Sequence, residues 1–329
     1  MKSIALALFA ALTLSAGSAS AAWYQQSDGT LVDPIQDVRG GNHAYAGSNL
    51  APSVQLRYAR LSYASLSSAD LSSANLSYAN LSNANLSQAD LSGTYLEKTN
   101  LSFSDLTNSS FFDAALPSAN LAHATLINAN LSDAYIYNAD LTNADLTNAN
   151  LTDASLTHVN LSNADLTNAN LSGAHPYGAV MRNAELTNAD LSNTNLHYAY
   201  LNDANLSDAD LSGASLQWAH LNLADLTGAD LSNARLSHAD LTGANFSDAM
   251  LFSTQLGSTA YHLTATWTGA KYSLNAVDNF GNPIPDTGFP PSMHQAWRDS
   301  AGMIAVPEPG TALLMGLGLI GLGVRVNAQ

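Results

Sequence analysis

The chain has 329 residues, with 26 acidic against 10 basic side chains, a net charge of −16 and no cysteine. That balance argues against a nucleic-acid footprint, which needs clustered cations, and the missing thiols exclude disulfides and thiolate metal sites. Hydrophobic residues reach 46%, mostly Ala and Leu recurring at a fixed interval, which excludes a disordered chain.

At the N-terminus Lys2 precedes an apolar run from Ile4 to Leu14, followed by small residues ending Ala19-Ser20-Ala21. A charged start, an apolar middle and an Ala-x-Ala finish are the parts of a secretory signal peptide over residues 1–21, with cleavage expected after Ala21 and Ala22 as the alternative. Residues 22–53 carry turn signals at Asp33-Pro34 and Gly40-Gly41 and are expected to cap the segment that follows.

Residues 54–258 repeat every five positions without an insertion. Leu fills all but five of the 41 positions 56, 61, 66 and onward to 256; the exceptions are Phe111, Ile136, Pro176, Met181 and Phe246. Ala dominates two residues before each Leu, Asn or Asp comes directly before it, and Ser or Thr usually follows. Period five suits neither regular element. On an α-helix successive Leu residues would sit about 140° apart and form no stripe, and on a flat strand they would alternate between faces. The consistent solution turns a corner once per quintet, keeps Leu and Ala inside, and stacks coil on coil by backbone hydrogen bonds.

Quintets such as Ala139-Asp140-Leu141-Thr142-Asn143 resemble the Ala-(Asp/Asn)-Leu-x-x pattern of the pentapeptide-repeat family over 205 of 329 residues. The resemblance implies an all-β chain, a right-handed quadrilateral β-helix with four quintets per coil and about ten coils. At ~4.8 Å per coil that is a rod near ~50 Å long. Its Leu and Ala interior leaves no room for a ligand.

With 20 residues per coil, outward positions 20 apart stack on one side. The side built on Leu56, Leu76 and onward to Leu256 has 33 outward positions. They hold Tyr58, Tyr78, Tyr95, Tyr135, Tyr137, Tyr177, Tyr198 and Trp218, with His158, His175, His197 and His238. The two sides built on Leu66 and Leu71 have 60 outward positions but only Phe112 and Phe252 as aromatics, and they carry 15 acids and no Lys or Arg. The aromatic column is the candidate binding face, able to stack on flat ligands or bury a partner. The simpler reading of it is self-packing or pairing of two rods as a homodimer. Carboxylate columns such as Asp190, Asp210 and Asp230 supply few ligands per ion in a flat array, so no metal site and no cofactor are assigned.

Residues 259–305, with turn signals at Phe280-Gly281-Asn282-Pro283, are expected to cap the last coil and link it to the tail. The tail, 306–329, reads Val306-Pro307-Glu308-Pro309, an apolar run from Thr311 to Val324, then Arg325. As a helix that run would span about 21 Å, short of a ~30 Å hydrocarbon core. It resembles the PEP-CTERM sorting signal: Pro307, Glu308 and Pro309, a hydrophobic helix and a basic end. The resemblance implies recognition by an exosortase, transient inner-membrane association through the tail, and a link to exopolysaccharide export.

No cleft with convergent acid, base and electrophile is legible, so no enzyme is assigned. The expected role is an exported, structural or adhesive protein of the envelope, outer surface or extracellular polysaccharide matrix (biofilm or floc) of a Gram-negative bacterium. The alternative is a glycan- or protein-binding module using the aromatic side. A remote alternative, an acidic DNA mimic acting on a topoisomerase as some family members are, is placed in the wrong compartment by the two export signals, and no nucleic-acid partner is expected.

Overall fold

A computed structural model describes residues 52–256 continuously, together with 24–25, 31–32, 36–37, 265–266, 270–273 and 304–306. The expected signal peptide with its Ala21 cleavage point, the Pro307-Glu308-Pro309 motif and the apolar tail lie outside the described residues, as does most of both expected caps.

One quintet shows how the coil is made. In Asp145-Leu146-Thr147-Asn148-Ala149, the Ala149 N–H closes a turn onto the Leu146 carbonyl at 2.9 Å. Asn148, third in that turn, has φ 57°, the left-handed conformation a type II turn needs there and Asn tolerates best. The Asp145 N–H donates back one coil to the Ala124 carbonyl (3.0 Å), while Leu146 and Asn148 donate forward to Asp165 (2.6 Å) and Thr167 (3.0 Å). The fifth N–H, on Thr147, donates to the Asp145 carboxylate at 3.0 Å, and the Thr147 hydroxyl donates to the same oxygen at 2.6 Å. All five backbone donors are satisfied.

That accounting explains the repeat's outward letters. Asn or Asp before Leu supplies the acceptor for the one N–H that the coil stacking misses, and Ser or Thr after Leu adds a second donor to it. The same bond recurs at Ser82–Asn80, Ser132–Asn130, Ser172–Asn170 and Ser232–Asp230.

Parallel bridges join the residue before the corner Leu to the one 20 positions on, from Gln55↔Asn75 to Arg235↔Gln255, except at His175. Four quintets therefore close one coil. The column from Leu56 to Leu256 is buried throughout, with Phe111, Ile136, Pro176, Met181 and Phe246 in the Leu slots where they occur. Burial of each Leu is worth about 1.5–3 kcal/mol, and the array is stable as a sum over neighbouring coils. In one coil hydroxyls replace Ala at all four inward corners, at Thr94, Thr99, Ser104 and Ser109. Each donates to a buried Leu carbonyl, Thr99 to Leu76 at 2.8 Å and the others to Leu91, Leu101 and Leu106 at 2.6 Å, so the small polar groups are tolerated inside.

The ladder lapses at Pro176. With no N–H, Pro176 cannot donate to the Asn195 carbonyl, and only the reverse bond, Asn195 N–H to Ala174 O (3.0 Å), survives. At the C-terminal end the parallel pairing continues past 258, at an offset of 21 residues in the first step and 33 in the next. Thr266 bridges Asn245, and strand β5 (Met250–Leu251) pairs with β6 (Lys271–Ser273), which pairs with β7 (Ile304–Val306), all parallel. At the other end β1 (Tyr24–Gln25) and β2 (Leu31–Val32) form an antiparallel pair, and β3 (Gln36–Asp37) lies antiparallel to β4 (Ala59–Arg60). β3 on β4 and β6 on β5 thus pair backbone at points of the first and last coils that would otherwise stand as open edges.

Candidate functional site

The outward positions of the side built on Leu56 divide into three groups. Near the N-terminal end Tyr58 and Tyr78 stack at 5.1 Å between centroids, and the guanidinium of Arg57 sits 5.6 and 5.4 Å from the two rings. Lys98 lies 5.5 Å from the Tyr78 ring and 3.9 Å from Glu97. The Tyr78 hydroxyl donates to Glu97 at 2.7 Å, which raises its pKa above the ordinary phenol value.

In the middle, Tyr95, Tyr135 and Tyr137 are exposed and make no ring contact among the described residues. His175, exposed beside Pro176, makes none either.

The third group is continuous. Tyr177 meets His158 edge-on at 5.8 Å and Tyr198 edge-on at 5.5 Å, and His197 lies 6.2 Å from Tyr198. Tyr198, Trp218 and His238 then stack in successive coils, at 6.2 Å and 13° and at 4.1 Å and 8°. The Trp218 indole thus lies between near-parallel rings of the coils before and after it, and remains 47% exposed. An aromatic ring is electronegative on its face and electropositive at its edge. The strip therefore presents polarised C–H, N–H and O–H groups outward rather than flat platforms.

These rings stand where the backbone least favours them. Tyr198, Trp218 and His238 have φ of 59°, 61° and 64°, an uncommon conformation for residues other than Gly, Asn and Asp, and for bulky ones a local strain. Each stacked pair returns about 0.5–1.5 kcal/mol. Glycine takes this position where a ring from the preceding coil lies across it: a Cβ on Gly178, at φ +62°, would fall 2.6 Å from His158 Nδ1.

Sequence reasoning did not assign the adjoining side, which carries two more stacks. Phe103 and His123 lie at 4.6 Å and 4°, Tyr200 and His220 at 4.8 Å and 8°, with Arg182 5.1 Å from the Tyr200 ring. The signal was present, since both pairs are 20 residues apart. Around the same corner Asp240 accepts from Thr242 N–H (3.0 Å), the Thr242 hydroxyl (2.5 Å) and Asn222 Nδ2 (2.5 Å). Burial pushes this carboxyl's pKa up, but the bonds from Thr242 and Asn222, with nearby His220, outweigh it and leave it below the usual carboxylate value.

The acidic sides are built differently. Asp190, Asp210 and Asp230 are bridged in register, yet each carboxylate already accepts a backbone N–H, from Ser192 (2.9 Å), Ser212 (2.8 Å) and Ser232 (2.8 Å). Among the described residues no cluster of three or more His, Asp or Glu is arranged to hold a metal ion.

Residues 53–113 and 116–258 match the Pentapeptide repeats family in overlapping stretches, and residues 305–327 match the PEP-CTERM protein-sorting motif. No curated protein matches the chain. Among solved structures it is similar to HetL, a pentapeptide repeat protein involved in heterocyst differentiation regulation from the cyanobacterium Nostoc sp. strain PCC 7120. The two are 33% identical over 64% of this chain and 91% of HetL, with a TM-score of 0.33. A pentapeptide repeat protein from the thylakoid lumen of Arabidopsis thaliana is 28% identical over 29% of this chain and 66% of its own, with a TM-score of 0.29. QnrB1, a plasmid-mediated fluoroquinolone resistance protein, is 17% identical over 83% of this chain and 99% of its own, with a TM-score of 0.18. The sorting motif indicates export and envelope association in a Gram-negative bacterium, with processing by an exosortase. With the repeat match covering more than half of its length, the chain belongs to the pentapeptide-repeat family, and its rod is a right-handed β-helix.

Proposed function

We propose that this protein is a non-catalytic structural or adhesive rod, delivered to the outer surface or extracellular polysaccharide matrix of its cell. The signal peptide of residues 1–21 starts export. The repeat of 54–258 makes about ten coils, with 22–53 and 259–305 as caps. The hydrophobic helix of 306–329 holds the chain briefly at the inner membrane until exosortase acts near Pro307, Glu308 and Pro309.

One observation carries this reading: the fold spends its buried residues and backbone donors on stacking, as in the fully satisfied quintet at Asp145, while a sorting motif occupies residues 305–327. Such a rod presents a long exterior whose side chains are free to vary. Fractionation of cells expressing the full chain, beside a chain lacking residues 305–327, tests it. The full chain is expected in the surface and matrix fractions with its leader removed, and the shortened chain is expected to be lost from them. Recovery of the full chain in the cytoplasm with Lys2 still present would overturn the proposal.

A further inference from the structure

We propose that the strip formed by Tyr177, His197, Tyr198, Trp218, Arg235 and His238 is a binding site for an anionic, carboxylate-bearing polysaccharide, held edge-on by the stacked rings. The inference rests on export to the matrix as read above, and it adds a ligand class and a location on the rod.

Charge is the first argument. On the four coils from His175 to His238, this side carries no Asp or Glu, whereas the two acidic sides of the same coils hold Glu185, Asp190, Asp208, Asp210, Asp225, Asp230 and Asp248. Within a chain of net charge −16, this is ground where a polyanion meets Arg235 and imidazoles instead of carboxylates. Complementary potential of this kind steers encounter and rejects the wrong sign.

Ring orientation is the second. Trp218 has Tyr198 on one side (centroids 6.2 Å apart) and His238 on the other (4.1 Å) along the rod, so a ligand running along this side meets the stack chiefly at its ring edges. What the column offers is a row of electropositive edges. The Trp218 Nε1–H and the Tyr198 hydroxyl have no hydrogen-bond partner among the described residues, and both groups can donate to carboxylate or hydroxyl oxygens. Donors repeated once per coil, at ~4.8 Å, suit a ligand that itself repeats.

Backbone cost is the third. Three successive coils hold bulky rings at positive φ, where the rest of the rod mostly uses Asn, Asp, Ser or Gly. Strain kept at consecutive positions is a mark of a working surface.

The test is retention of the full chain on immobilised polygalacturonate, with neutral dextran and double-stranded DNA as parallel matrices. Retention on polygalacturonate, weakened by salt and absent on dextran, is expected. Trp218→Leu and Arg235→Glu should each weaken it by tenfold or more, and Arg235→Lys should keep most of it. Both variants suit the fold, since Leu223 is native at φ 59° and Glu185 occupies the position equivalent to Arg235 on another side. Phe112→Leu, at an equally exposed aromatic on an acidic side, should change nothing. Equal retention on dextran, retention on DNA alone, no retention on polygalacturonate, or unchanged binding by Trp218→Leu and Arg235→Glu would each overturn the site. Fractionation is read separately, so the rod can stand as a matrix protein while this site fails.

Discussion

Apart from the gap at Pro176, the aromatic side and the two acidic sides of this rod share one backbone, one turn and one buried column of Leu and Ala, and they differ in what points outward. On the acidic sides the outward groups work for the coil: Asp190, Asp210 and Asp230 each hold a Ser N–H that no ladder bond reaches. On the aromatic side, Tyr198, Trp218 and His238 work against the local backbone and are held by one another across coils. The contrast shows that a solenoid separates the residues that make it fold from the residues that decorate it. Decoration can therefore carry a cost that the column beneath absorbs.

The largest expected effect comes from what the sides share. Leu166→Ala empties a fully buried slot and should cost about 2–5 kcal/mol. The same loss is expected at Leu216 under the aromatic side, and urea unfolding of the two variants compares them. A cost at Leu216 far below that at Leu166 would mean that the two sides do not share one core. Gly228→Ala comes next. Its Cβ would fall 2.3 Å from Asp208 Oδ1 with φ at +72°, so a clear drop in thermal midpoint is expected.

Pro176→Leu works in the opposite direction. It restores the inward residue of the repeat and an N–H for the Asn195 carbonyl, and should stabilise by about 1 kcal/mol, visible as a higher midpoint. Asp145→Ala removes the acceptor for the Thr147 N–H and should cost about 1 kcal/mol. Asp145→Asn keeps that acceptor and relieves repulsion from Asp165, bridged to it in the next coil, so it should be neutral or better.

The smallest effect is a pH dependence. The Asp240 carboxyl is held below its ordinary range in the folded chain, so its contribution is complete above about pH 5 and is lost as pH falls through and below the usual carboxylate value near 4. Asp240→Asn should flatten that part of the acid limb in a pH series of thermal melts, and an unchanged limb would remove Asp240 from the account.

Much of this was legible in the sequence. Period five dictates a corner per quintet, because neither helix nor flat strand can keep every Leu on one side. Phasing at 20 separates Tyr198 and Trp218 from Asp190 and Asp210 in the sequence itself, since stacked coils turn sequence spacing into columns. The inward residues answer to their own quintet, so local pattern was enough for them. What only the tertiary structure decided lies between coils. It set that the rings spend their faces on each other, that Tyr200 and His220 add a second stack around the corner, that Asx oxygens close the donor count, and that Pro176 opens the ladder. It also carried the parallel stack on to β7. The physical reason is that these contacts join side chains about 20 residues apart through rotamers and hydrogen bonds that exist only once the coils are wound.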